Sequence, residues 1–107
     1  MERAIRGIAL VAPDSINPEV VHAIRRLERS GKAASARANE MLADFLDMSI
    51  ARIPTLDLMA DVWNLRGNLT AYDACYVALA RGLRAELITA DKRLARAPNL
   101  GIPLVVV

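Results

Sequence analysis

Three acidic side chains, Glu19, Asp73 and Asp91, each stand where an apolar run gives way to a predicted helix start. One acid at such a junction is ordinarily a helix cap or a partner of the helix dipole. In a parallel α/β sheet, however, the junctions after the strands lie along one edge, where ligands bind. Carboxylates gathered there suit a hard cation such as Mg²⁺ or Mn²⁺. A cation held in this way typically acts on phosphate groups, because it can activate water and neutralise charge.

Asp73 favours the functional interpretation more than the other two acids do. It follows Thr70 by three residues, as in a capping box, but the helix it opens is apolar nearly all round. A carboxylate at the head of a buried helix is costly unless it is paired or bound to a cation. Glu19, taken alone, is more simply a favourable charge at a helix start. For Asp91, helix capping and metal binding are compatible, and neither is preferred.

The sequence lacks the motifs that other common kinds of catalytic site require. There is no glycine-rich phosphate loop, no zinc-ligand spacing and no credible Ser-His-Asp set. The single His22 and Trp63 are interpreted as a surface residue and a core residue. The remaining aspartates are interpreted as loop, cap or solvated residues: Asp14, Asp44, Asp47, Asp57 and Asp61.

Basic residues form a cluster on one predicted helix and a second cluster after the last acid. Such clusters are usually solvated faces, but they would contact phosphates if the domain binds nucleic acid. They are Arg25, Arg26 and Arg29, and Lys92, Arg93 and Arg96.

The elements that must position the acids alternate between strand and helix. Short apolar runs predict strands at 8–12, 50–53, 86–89 and 104–107. Periodic segments between them predict five helices. They run from Asn17 to near Gly31, from Ala34 to near Leu46, from Thr55 to near Arg66, from Thr70 to near Gly82 and from Asp91 to near Pro98. The expected inward faces include Ala38, Leu42, Phe45 and Leu46 in the second helix and Leu58, Val62, Trp63 and Leu65 in the third. Continuously apolar strands separated by helices predict an α/β fold with a parallel sheet.

Composition sets the remaining bounds. A chain of 107 residues with 54% hydrophobic composition predicts one domain with one core. The net charge of +2 permits a polyanionic partner without requiring one. The lone Cys75 excludes an internal disulfide and is expected to be a buried, reduced thiol. No apolar stretch approaches the ~20 residues of a membrane span and the start lacks a signal peptide's apolar core, so a cytoplasmic protein is expected.

Three segments resemble a known family. Residues 70–80 (TAYDACYVALA) resemble the third-acid segment of PIN-domain ribonucleases, most closely the VapC-type toxins of bacterial toxin–antitoxin pairs. Residues 87–95 (LITADKRLA) resemble the fourth-acid segment. Residues 12–13, 18–21 and 23–27 resemble the segment bearing the second acid, and the resemblance runs from about Leu10 to the C-terminus.

The resemblance implies a Mg²⁺- or Mn²⁺-dependent endoribonuclease that acts on RNA and is inhibited by a cognate antitoxin. Carried over, Glu19, Asp73 and Asp91 are catalytic metal-site acids, and Thr89 supports a metal-bound water or ligand. Such toxins are usually homodimers. Residues 17–46 are expected to help form the antitoxin groove, and residues 56–63 to contribute to self-association.

The chain also departs from the family pattern. The family opens with a central strand that ends in the first catalytic Asp, followed by a helix, and residues 1–7 supply neither. We therefore expect residues 1–107 to form one PIN-like three-layer α/β domain, a parallel sheet flanked by helices, that is N-terminally truncated. A misplaced start codon, a true fragment and a decayed gene would each explain the departure. Strands 8–12 and 86–89 would then lack their middle neighbour.

Two functions of different classes follow from that expectation. One is the ribonuclease toxin, and the other is a catalytically impaired or inactive PIN remnant that serves as an antitoxin-binding or dimerisation module. A third interpretation is an unrelated α/β module in which the acids are only helix caps.

Overall fold

The computed structural model of the chain describes residues 10–89 and 104–106. Strands and helices alternate along it, which confirms the α/β class. The predicted helix at 91–97 lies outside the described residues. The elements are β1 (Leu10–Pro13), α1 (Ile16–Arg29), α2 (Ser35–Asp47), β2 (Ile50–Ile53), a 3-10 helix (Thr55–Leu58), α3 (Met59–Asn64), α4 (Ala71–Leu83), β3 (Leu87–Thr89) and β4 (Leu104–Val106).

The strands form two parallel ladders. β1 pairs with β2 so that Leu10 lies opposite Ile50, and β3 pairs with β4 so that Leu87 lies opposite Leu104. Helices α1 and α2 form the long crossover that a parallel β1–β2 pair requires. Within the described residues the ladders are separate two-stranded sheets, and α4 packs against both β1 and β3. In this described part of the chain, β1 and β3 therefore do not pair with each other.

The core is built around α4. Ala74 and Val77 are fully buried, and their neighbours on the same helix are nearly so. The 3-10 helix, α3 and the loop after it contribute Leu58, Val62 and Leu65 to this cluster. Small residues along α4 let the neighbouring elements approach its backbone closely, and the predicted burial of this helix on most sides is confirmed.

Several predicted helix boundaries and inward positions are wrong. Asn17 lies inside α1 rather than capping it, because its side-chain oxygen instead accepts a hydrogen bond from Arg52 Nε at 2.7 Å. Gly82 lies inside α4, and Arg84 ends the helix with a left-handed backbone at φ 53°. Leu46 was expected to face inward but is 68% exposed.

Trp63 is not a core residue. Its side chain is 65% exposed, and the Arg66 guanidinium lies 4.2 Å from the centre of its ring. The helix predicted from Thr55 is divided into the 3-10 helix and α3, so the apolar period shifts and turns Trp63 outward. In the part of the chain that the structure describes, no helix has the length and apolar character needed to cross a membrane.

Candidate metal centre

Glu19 reaches from α1 to α4. It lies in the first turn of α1, where a negative charge is favoured by the helix dipole. Its side chain is half-buried, and Oε2 accepts a hydrogen bond from the Tyr76 hydroxyl at 2.7 Å. The other oxygen, Oε1, is buried and has no hydrogen-bond partner among the described residues. A helix-dipole role alone would leave this carboxylate in solvent, so its burial favours a more specific role.

Asp73 lies in the first turn of α4, and its backbone is fixed by a cap. Its N–H donates to Thr70 Oγ1 at 3.2 Å, so the predicted cap at Thr70 is confirmed. The Asp73 side chain is half-buried. Because Tyr76 follows Asp73 by three residues, both side chains lie on one face of α4.

Burial and both acids raise the pKa of Tyr76. Burial raises the pKa of Tyr76 far above its usual value, and the hydrogen bond and charge of Glu19 raise it further. The charge of Asp73 also raises this pKa, as the nearby Cys75 does. The hydroxyl therefore remains protonated and donates to Glu19 at neutral pH. Glu19 therefore contacts Tyr76, and Asp73 lies one turn before Tyr76 on the same face of α4.

Cys75 lies behind this pair as a buried free thiol, as predicted. Burial raises the pKa of Cys75, and the charges of Glu19 and Asp14 raise it further. A thiol held neutral in this way is not a nucleophile. Asp14 itself follows β1 and accepts a hydrogen bond from the Thr55 N–H at 3.2 Å, which confirms it as a loop and cap residue.

The other predicted site residues divide between described and undescribed parts of the chain. Asp91, Lys92, Arg93 and Arg96 lie outside the described residues, as does the side chain of Thr89. Within residues 10–86, for which side chains are described, no three His, Cys, Asp or Glu side chains are close enough to hold a metal ion. Convergence of Asp91 with Glu19 and Asp73 remains a prediction. Arg25, Arg26 and Arg29 are exposed on α1.

The donors that are present fit a hard divalent cation. Glu19 and Asp73 supply only oxygen, and among the described residues one buried Glu19 oxygen lacks the partner that a buried polar atom normally has. Sequence reasoning missed Tyr76, which looked like one more apolar residue of α4. Its position three residues after Asp73, on the same face of the helix, was the available signal.

A shallow groove separates α1 from α2. Its volume is about 150 Å³. Its apolar lining residues are Val21, Ile24, Ala38 and Leu42, and its polar ones are Arg25, Glu28 and Asn39. The groove lies within the segment 17–46 that was expected to bind the antitoxin.

Comparison with known proteins identifies the fold family. The PIN-domain family model matches residues 1–100. The chain is therefore a PIN-domain protein. It is 35% identical over 98 residues to the VapC ribonuclease Mb0985 of Mycobacterium bovis, a match that covers 92% of this chain and 77% of that protein.

Two further relatives come from Mycobacterium tuberculosis. Ribonuclease VapC1 is 41% identical over 90 residues, covering 83% of this chain and 68% of the relative. Ribonuclease VapC12 is 34% identical over 94 residues, covering 88% and 73%. Within the PIN-domain family, the chain belongs to the VapC-type ribonucleases. The resemblance carried by residues 70–80 and 87–95 is confirmed.

Proposed function

We propose that this protein is a metal-dependent endoribonuclease, the toxin of a VapBC-type toxin–antitoxin pair. The observation that carries the proposal is the half-buried Glu19, whose Oε2 accepts a hydrogen bond from Tyr76 of the Asp73 helix while its buried Oε1 lacks a hydrogen-bond partner among the described residues. Relatives over most of the chain are named ribonucleases. These features support a nuclease site more directly than they support helix capping.

Glu19, Asp73 and Asp91 would hold Mg²⁺ or Mn²⁺, and Thr89 would support a bound water or ligand. When bound, such a cation supplies Lewis-acid stabilisation of the scissile phosphate and lowers the pKa of a water. The protein's own part is to fix the carboxylates. The Thr70 cap fixes the Asp73 backbone, and the Tyr76 hydroxyl holds Glu19.

The RNA backbone would lie along the basic face of α1. Arg26 and Arg29 are exposed in the last turn of that helix. They follow Glu19 by seven and ten residues, which places their backbones roughly 10–15 Å further along the helix. That distance spans two or three phosphates of an extended strand. Arg25, Lys92 and Arg93 would add to the same cationic surface.

The partners are an antitoxin and a second copy of the chain. An antitoxin segment would insert apolar side chains between Val21, Ile24 and Leu42 in the groove of α1 and α2. Arg25 and Glu28 at the groove would contribute charged contacts. Self-association would use residues 56–63, and the complex would act in the cytoplasm.

RNA cleavage by the purified chain tests the proposed function. In Mg²⁺ the chain should cleave RNA, and Asp73→Asn should reduce cleavage to the level seen with EDTA, because it removes a charged ligand. Asp44→Asn is the matched control, since the Asp44 carboxylate is exposed on α2, where it lies 4.0 Å from Arg37. Cleavage that survives Asp73→Asn would reject this site.

A second candidate function is an antitoxin-binding module without catalysis. The groove between α1 and α2 favours it, because that surface lies within described elements and needs no metal. This function predicts retained antitoxin binding with absent or millimolar Mn²⁺ affinity. Tight stoichiometric Mn²⁺ binding would decide in favour of the nuclease.

A further inference from the structure

The hydrogen bond between Tyr76 and Glu19 joins two elements far apart in the chain. Their sequence separation is 57 residues, and Oη lies 2.7 Å from Oε2. The Tyr76 ring packs against the core cluster around α4, so the position of its hydroxyl is set by that packing. The Tyr76 hydroxyl is therefore a rigidly held donor, and it binds the flexible side chain of Glu19.

Only one of the two Glu19 oxygens is used by this contact. Oε2 accepts from Tyr76, whereas Oε1 is buried without a partner in the described part of the structure. Leaving a buried carboxylate oxygen unsatisfied costs free energy, so such an oxygen calls for a ligand. A divalent cation would satisfy Oε1 while Tyr76 continues to satisfy Oε2.

We propose that Tyr76 is a positioning residue of the metal centre, whose hydroxyl binds Glu19 Oε2 and thereby directs Oε1 toward the cation beside Asp73. The inference rests on the proposed function, since it needs a metal centre. Tyr76 does not itself contact the cation. Carboxylates that ligate metals are commonly held by such outer hydrogen bonds, and loss of one typically weakens metal binding about 10- to 100-fold.

Tyrosine is suited to this role on α4. Its ring can be buried with the aliphatic residues of the helix, while its hydroxyl reaches the next helix. A serine or asparagine at position 76 would lack the reach from α4 to α1.

Titration with Mn²⁺ alone, without RNA, tests the inference. Tyr76→Phe keeps the ring and removes the hydroxyl, so the dissociation constant for Mn²⁺ should rise about 10- to 100-fold. The thermal unfolding midpoint should also fall, because Glu19 Oε2 loses its hydrogen-bond partner. Tyr72→Phe is the matched control, because Tyr72 is an exposed tyrosine in the first turn of the same helix, and it should leave Mn²⁺ affinity unchanged.

A double-mutant cycle separates positioning from a general structural effect. In a Glu19→Ala background the hydroxyl has no carboxylate to hold, so adding Tyr76→Phe should not weaken Mn²⁺ binding further. If Tyr76→Phe weakens binding equally in both backgrounds, Tyr76 acts through the fold and the inference is overturned. Glu19→Asp provides a second variant should Tyr76→Phe fail to fold. It withdraws the carboxylate from the phenol, and unchanged Mn²⁺ affinity in that variant would also overturn the inference.

The outcomes also distinguish this inference from the proposed function. A wild-type chain that binds no Mn²⁺ would overturn both. A wild-type chain that binds Mn²⁺ and cleaves RNA, together with Tyr76→Phe of equal affinity, would overturn the positioning role alone. Weakened binding by Tyr76→Phe that disappears in the Glu19→Ala background supports both.

Discussion

The Thr70 hydroxyl oxygen accepts a hydrogen bond from the backbone N–H of Asp73 across 3.2 Å, so the cap of α4 and the proposed metal centre share a residue. The cap satisfies one of the free N–H groups at the helix start. It also fixes the backbone from which the Asp73 carboxylate extends. Stability and site geometry are therefore coupled at this turn.

Replacing Thr70 with alanine should lower the free energy of unfolding by about 1 kcal/mol, because the N-cap acceptor is lost. Urea denaturation measures this change. Thr70→Ser retains the hydroxyl and is the matched control, with an expected change well below that of alanine. Mn²⁺ affinity should follow the same order, alanine weaker than serine. Equal stability of the alanine and serine variants would contradict the role of the cap.

Two leucines of the 3-10 helix provide a direct test of the core. Leu58 is 8% exposed and Leu56 is 80% exposed, although only one residue separates them. Leu58→Ala should destabilise the protein by roughly 2–5 kcal/mol, because it leaves a cavity against α4. Leu56→Ala should change stability by less than about 0.5 kcal/mol. Denaturation of the two variants under the same conditions measures both stabilities. Similar values would contradict the described packing.

Local patterns predicted most of the fold. Leu10–Pro13, Ile50–Ile53 and Leu104–Val106 are short apolar runs, and they form parallel strands as expected. The nearly uniform apolar character of α4 correctly indicated burial on most sides. These predictions depend on residues close in sequence, for which periodicity and propensity are informative.

The wrong predictions depend on contacts between distant residues. Asn17 looks like a helix cap, but the guanidinium of Arg52 engages its side chain from β2. Trp63 was placed in the core by helical spacing, and the change from 3-10 helix to α3 altered that spacing. The link from Tyr76 to Glu19 could not be predicted either, because nothing local to one helix indicates which residue of another it will meet.

Cys75 should be unreactive in the folded protein. It is buried, and the pKa of its thiol is raised, so little thiolate is present at pH 8. Modification by a thiol reagent such as DTNB should be slow without urea and rapid above the unfolding transition. Fast stoichiometric modification under native conditions would contradict the described burial.

The same thiol should make stability depend on pH. Its pKa is higher in the folded chain than in the unfolded chain, where a thiol ionises near about 8.5. Its contribution to stability is therefore present below that pH and is lost as the pH rises through the folded pKa. Wild type should lose more stability than Cys75→Ala between about pH 8 and 10. An identical pH dependence for the two proteins would rule out this contribution.

Residues 56–63 present an apolar surface that a second copy of the chain could cover. Leu56, Met59 and Trp63 are all exposed large side chains, and their spacing of three and four residues places them toward one side of consecutive turns. Exposed apolar clusters of this kind commonly mark interaction sites.

If this surface supports the proposed homodimer, Leu56→Glu should shift the protein toward monomer, because a dimer would bury the new charges. Analytical ultracentrifugation across a concentration series measures the shift. Leu46→Glu is a matched control on α2, since Leu46 is also exposed but lies outside this segment. A dimer that resists Leu56→Glu but dissociates with Leu46→Glu would move the interface to α2.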